Sequence, residues 1–322
     1  LKEAHLRNLR HAFLSFFILA AILIATPRAH AQQAASPAGT VPVTTVVTVL
    51  GPKYNAPPPL GKEDIIVHSG KARVDVTGWL PAQGEHAGLE LAIVIDEAVS
   101  SDIGGQFKDL ATFITDQQKS TKVGLFYAND GTIQAASQFN DDHAAVAKTL
   151  RLPFGRFGAY SSIYLSMLDL MKRWPATGAR REILLIADGI DRFRGDFPTS
   201  TDLESTVTRA ETEGIMIHTL YSTGVGRVAR NMFRSNLGQS NLSKITDATG
   251  GEAFFQGLQT PISFGPYLQQ LDMVLRNQYW LTMAMPRSKK PKGELRQFHV
   301  TTEQSNVEIS SAREVFVPGT PK

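Results

Sequence analysis

The 322-residue sequence contains no cysteine, so neither a disulfide framework nor thiolate chemistry is open to it. Excess charge is also missing once the chain is divided. The sequence carries 33 Lys+Arg against 30 Asp+Glu, but Lys2, Arg7, Arg10 and Arg28 against Glu3 account for that difference within the first 31 residues. Beyond them the two signs are equal in number, which removes the basic stripe that a nucleic-acid binder needs. There is no Gly-x-Ser-x-Gly elbow, no His-Glu-x-x-His pair and no Walker-type loop, so nucleophilic, zinc-peptidase and nucleotide chemistry lack their usual residues. A hydrophobic fraction of 42% with 20% charged residues is too apolar for a disordered chain. The length suits one sizeable domain with smaller attachments.

One long apolar run is present, Ala12 to Ala25, preceded by Arg7 and Arg10 and followed by Ala29-His30-Ala31. This order of basic, apolar and small residues predicts a signal peptide over residues 1–31, cleaved after Ala31. The run is shorter than the roughly 20 apolar residues of a spanning helix, and no second span follows it. A secreted or periplasmic protein is therefore expected, with no membrane span once the leader is removed.

Residues 32–40 read as a flexible linker of small and polar residues. An N-terminal β segment is expected over 41–87, with strands at Val41 to Leu50, Ile65 to His68 and Ala72 to Thr77. From residue 88 the pattern becomes one of apolar strands alternating with amphipathic helices, to 277. That alternation predicts an α/β fold, doubly wound around a mostly parallel sheet. Its strands are expected at Leu89 to Ile95, Lys122 to Ala128, Thr132 to Phe139, Ile183 to Ala187, Ile215 to Tyr221 and Ala253 to Phe255. Asp130-Gly131 supplies the positive φ angles of a tight hairpin turn. Helices are expected near 103–118, 142–150, 161–174, 202–213, 242–248 and 267–277. Residues 278–322 form a C-terminal β segment, and the two flanking segments should meet in one small antiparallel module, because domain termini often lie close together.

Open parallel sheets place their sites in loops at the carboxyl ends of strands, where the strand order reverses. Three such loops are rich in oxygen donors: Asp96-Glu97-Ala98-Val99-Ser100-Ser101, Gly158-Ala159-Tyr160-Ser161-Ser162 and Asp188-Gly189-Ile190-Asp191. The order of these segments resembles the von Willebrand factor type A (vWA) domain family, over about residues 88 to 277. That family uses Asp-x-Ser-x-Ser after its first strand, a middle-loop Thr and a later Asp-Gly as a metal-ion-dependent adhesion site. Thr249-Gly250-Gly251-Glu252 and Gln278-Tyr279-Trp280-Leu281 are similar to segments of bacterial secreted members.

The resemblance implies a site for Mg²⁺ or Mn²⁺ built from Asp96, Ser100, Ser161 and Asp188. Ala98 stands where the family has its first Ser, and Ser161 or Ser162 where it has Thr, so the implied site is degenerate. Losing a hydroxyl from an octahedral oxygen cage at about 2.0 to 2.1 Å leaves a position that only water fills. The residues alone leave a second reading open, in which Asp96 and Asp188 cap helices and turns.

The resemblance further implies a non-enzymatic module that binds an unidentified exported or surface protein through Glu97, Ser162, Asp191, Arg192, Phe193 and Arg194 around that site. Arg and aromatic residues together suit an interface. Two alternatives remain: a metal-assisted phosphoester hydrolase using Asp96, Asp188 and Asp191, and a structural scaffold. Gly224-Val225-Gly226-Arg227-Val228-Ala229 resembles a dinucleotide fingerprint, but it lies late in the α/β layer, where a flexible loop is expected instead. His218, inside an apolar strand, is expected to be a satisfied core side chain.

Overall fold

The computed structural model describes residues 39–158, 160–174, 176–194, 200–226, 231–254 and 261–320. The segments expected as a signal peptide, 1–31, and as the start of a linker, 32–38, lie outside the described residues. The flanking strands are β1 (Thr40–Leu50), β2 (Ile65–Ser69), β3 (Ala72–Val74) and β4 (Val76–Pro81). The α/β layer contains β5 (Leu89–Asp96), α1 (Phe107–Thr115), β6 (Thr121–Asn129), β7 (Thr132–Asn140), α2 (His143–Ala147), α3 (Ile163–Arg173) and β8 (Arg180–Ala187). It continues with α4 (Thr201–Glu213), β9 (Ile215–Tyr221), α5 (Met232–Thr249), β10 (Ala253–Phe254) and α6 (Gly265–Arg276). After it come β11 (Gln278–Pro286), β12 (Glu294–Gln297), β13 (His299–Thr302), β14 (Glu308–Ser311) and β15 (Glu314–Val317).

The central sheet has the order β10-β9-β8-β5-β6-β7. All neighbours are parallel except the β6–β7 hairpin. The chain therefore starts in the middle, runs to one edge, returns beside β5 as β8 and continues to the other edge. This is a doubly wound order, and its switch point lies between β5 and β8.

Alternation along β5 explains why both faces must be covered. Leu91, Ile93 and Ile95 join a cluster with Leu110 and Ile114 of α1 and Leu271 and Val274 of α6. Ala92 and Val94 join the opposite cluster with Met167 of α3, Leu203 of α4 and Leu242 of α5. A strand with helices on both sides reads as a continuous apolar run, as this one does.

The flanking strands form the expected antiparallel module. A four-stranded sheet β14-β1-β11-β4 stands with a three-stranded sheet β13-β2-β3 and the β12-β15 pair. All three contribute to one apolar cluster that includes Val47, Val67, Met283, Val300 and Val317. The stretch expected as one strand from Ala72 divides at Asp75, and its second half joins β11 in the larger sheet. Gln278, the first residue of β11, donates to Oε of Glu182 in β8 and accepts from Arg180 at the start of that strand. The module therefore docks on the amino-terminal end of the parallel sheet, leaving the carboxyl-terminal rim clear of it.

Candidate functional site

β5 and β8 pair with Ile95 opposite Ile186, so Asp96 and Asp188 emerge at the same rim, on either side of the switch point. Both are buried. Each carboxylate folds back on its own loop: Asp96 Oδ1 accepts from the Ala98 N–H at 2.9 Å, and Asp188 Oδ1 from the Ile190 N–H at 3.0 Å. Asp-type turns of this kind explain why each strand ends where it does.

The space between the two carboxylates is taken by the guanidinium of Arg192. Its Nη2 lies 2.5 Å from Asp188 Oδ2, and its Nη1 lies 3.2 Å from Asp188 Oδ1 and 4.0 Å from Asp96 Oδ2. The fork matches Asp188 bidentately, the strongest geometry available to such a pair. Only 4% of the Arg192 side chain is exposed. Its Nε is buried and has no hydrogen-bond partner among the described residues. Burial pushes the Asp96 carboxyl up to about 6, with Arg192 opposing the rise and Asp188 adding to it. Burial alone would lower the Arg192 pKa, but the charges of Asp188 and Asp96 hold it above its ordinary value.

The remaining residues singled out in the sequence have other partners. Ser100 Oγ accepts from the Asp102 N–H and caps a 3-10 turn over Ser101–Gln106. Ser162 Oγ caps α3 by accepting from the Leu165 N–H. Ser161, its neighbour, is buried and gives its backbone N–H to the Gly158 carbonyl. Asp191 is buried and accepts from the Phe193 and Arg194 N–H groups and from the Ser200 hydroxyl. Ser200 in turn caps α4. Arg194 forms a two-bond pair with Asp202 in the first turn of α4. The loop after β8 is thus tied to two helix starts, and Gly189 O accepts from the buried Tyr164 hydroxyl and from Asn241.

Glu97, placed by the sequence at an interaction rim, is buried as an anchor. Its carboxylate takes Arg151 Nη2 at 2.5 Å and the Phe154 N–H at 2.6 Å, while its carbonyl accepts from the Arg156 N–H. These bonds hold the loop 151–157, a segment that sequence reasoning passed over. That loop and the residues beside it expose Leu152, Phe154, Phe157 and Tyr160. Arginines stack on the rings: Arg151 and Arg156 lie 4.5 and 5.0 Å from the Phe154 centroid, and Arg192 lies 5.0 Å from that of Phe157. Phe193 meets Tyr160 at 5.4 Å and lies under Arg194 at 4.9 Å. The available signal was compositional: Arg151-Leu152-Pro153-Phe154-Gly155-Arg156-Phe157 mixes aromatic and arginine residues without any period that would bury them.

Gly224 of the Gly-x-Gly motif lies on the same rim. The backbone of 223–225 bonds to that of 98–100, and a β-carbon on Gly224 would stand 2.0 Å from Asp188 Oδ2 and 2.5 Å from Arg192 Nη2. The motif's first glycine thus permits backbone to cover the ion pair. Residues 227–229 of the motif lie outside the described residues. His218, in β9, is fully buried; its Nδ1 accepts from the Glu252 N–H, and its Nε2 donates to Glu182 at 2.8 Å.

A divalent cation does not fit this donor set. Both Asp188 oxygens already accept from Arg192, Ala98 offers a methyl group, and a guanidinium charge stands where the cation's charge would be. Among the described residues no group of three or more His, Asp or Glu is arranged to hold a metal ion, and no helix is long and apolar enough to cross a membrane.

No family model and no curated protein matches the sequence. Among solved structures, the chain is similar to a von Willebrand factor type A protein from Catenulispora acidiphila, at 10% identity and a TM-score of 0.42 over 89% of this chain and 76% of that one. It is similar to an aerotolerance-related membrane protein from Bacteroides fragilis at 12% identity and a TM-score of 0.42, over 58% of this chain and 98% of that one. It is also similar to BatB from Bacteroides thetaiotaomicron at 13% identity and a TM-score of 0.41, over 58% and 98% of the two chains. These likenesses concern the fold alone. The doubly wound sheet itself rests on the strand pairing described above.

Proposed function

We propose that the protein is an interaction module that docks a protein partner on the rim formed by 151–157, Tyr160, Phe193 and Arg194. The observation that supports this reading is the exposed set Leu152, Phe154, Phe157 and Tyr160 with arginines laid across the rings. Aromatic side chains and arginine are the types enriched where interfaces draw their energy. Folding alone gives no reason to hold them at the surface, and Glu97 and Tyr127 both spend buried polar groups on positioning the loop. Arg156 has no carboxylate partner among the described residues, which favours an acidic group on the partner.

A hydrolase reading has less support. Asp96 and Asp188 face a guanidinium, and Asp191 is used by two N–H groups and a hydroxyl. In line with the leader, the partner is expected to be a periplasmic or extracellular protein.

A photoreactive phenylalanine analogue in place of Phe157, in cells that make the protein, tests the reading. A discrete cross-linked partner is expected, lost on Arg156→Glu and not formed when the analogue replaces the exposed Leu80 of β4. Equal cross-linking from both positions would refute docking at this rim.

A further inference from the structure

We propose that Arg192 is a built-in cation: its guanidinium takes over the charge role of a divalent metal between Asp96 and Asp188, so this rim keeps its shape without metal. This goes beyond the docking reading and stands whether or not a partner binds there.

Four observations lead to it. The guanidinium is within 2.5 to 4.0 Å of oxygens from both carboxylates, one from each side of the switch point. It is as buried as the groups it neutralises. Its Nε has no hydrogen-bond partner among the described residues, while its two terminal nitrogens face the aspartates. Finally, the backbone at Gly224 closes over the pair, with no space for a β-carbon.

A buried, bidentate Arg–carboxylate pair fixes direction as well as charge. A metal ion differs from it in one decisive respect, because a metal can leave and the guanidinium is tethered by the chain. Divalent cations prefer oxygen cages with open positions for water, whereas a guanidinium only donates and accepts nothing. The rim is therefore in one charge state at all metal concentrations. Removing the guanidinium should uncover what it replaces: two buried carboxylates whose repulsion a divalent cation would relieve.

The test uses the chain without its leader and reads melting temperature and Mn²⁺ binding by calorimetry. The unsubstituted protein should show no heat and no shift with millimolar Mg²⁺ or Mn²⁺, and none with chelator. Arg192→Ala should melt lower, and Mn²⁺ should restore part of the loss. Asp96→Asn in the Arg192→Ala background should abolish that restoration. If Arg192→Ala does not fold without metal, recovery of folded protein on refolding with Mn²⁺ carries the same meaning. Arg192→Lys, which keeps the charge, should stay indifferent to metal. The proposal is overturned if the unsubstituted protein binds Mn²⁺ and loses that binding on Asp188→Asn. It is equally overturned if Arg192→Ala is indifferent to metal in both melting and refolding.

Discussion

Gly224 lies so close to Asp188 that a β-carbon on it would stand 2.0 Å from the carboxylate Oδ2. The φ angle of Gly224 is not in the left-handed region, so the requirement for glycine is one of space alone. Alanine at this position must push either the 223–225 backbone off its bonds to residues 98–100 or Asp188 away from Arg192. Overpacking of this kind costs about 1 to 3 kcal/mol. Gly224→Ala should therefore lower the urea midpoint, while Gly105→Ala, where no atom lies within 4 Å of the added carbon, should lower it far less. Equal losses at the two positions would contradict the packing described.

Removing Asp188 has a different effect from crowding it. Asp188→Ala leaves the buried Arg192 with the more distant Asp96 as its ion-pair partner. Breaking one side of a buried pair is destabilising by about 3 to 5 kcal/mol, because the remaining charge is desolvated without compensation. Chemical denaturation should show a loss in this range. The double variant Asp188→Ala with Arg192→Met should recover much of it. A double variant less stable than the single one would show that the pair is not the source of the loss.

The parts of this arrangement that the sequence makes legible are those set by local pattern. The run Leu89–Asp96 announces a strand covered on both faces, Asp130-Gly131 marks the hairpin, and strand ends place Asp96 and Asp188 at a common rim. The position of Arg192 is not legible in that way. It follows from a loop that turns back on itself after Ile190, and a loop has no period to place its side chains. The early turns of α5 are hidden for another reason. Met232 to Asn241 is largely polar, contains Gly238 and presents no amphipathic stripe, so only the apolar end from Leu242 shows in the sequence. Arg151 to Phe157 hides similarly, since its shape is imposed by Glu97 and Tyr127 from two other strand ends.

Glu97 therefore acts as a positioning residue for the exposed aromatic loop. Glu97→Ala removes the acceptor of the Phe154 N–H and the ion-pair partner of Arg151. Leaving these partly buried donors unsatisfied costs at most about 1 to 3 kcal/mol. Hydrogen exchange should quicken at 152–157 while the β5 and β8 amides keep their protection. Uniform quickening over the sheet would mean that Glu97 supports the core in general and not this loop.

Glu211, in the last turn of α4, gives the stability a pH dependence away from the rim. Burial pushes its carboxyl up to about 7 from an ordinary 4.5, and the charge of Glu314 adds to the rise. The helix carbonyl end also disfavours a negative charge there. A carboxyl whose folded pKa lies above its unfolded one holds its proton more tightly when folded. Its ionisation therefore costs stability progressively as pH rises from about 4.5 to about 7, and the cost is constant above that window. Glu211→Gln removes the titration and keeps an oxygen to accept the Glu314 N–H. The variant should melt above the unsubstituted protein at pH 8, and the two curves should converge as pH falls to about 4.5. Melting temperatures measured across that range decide the matter, and a difference between the two proteins that does not change with pH would show that the Glu211 charge is not its cause.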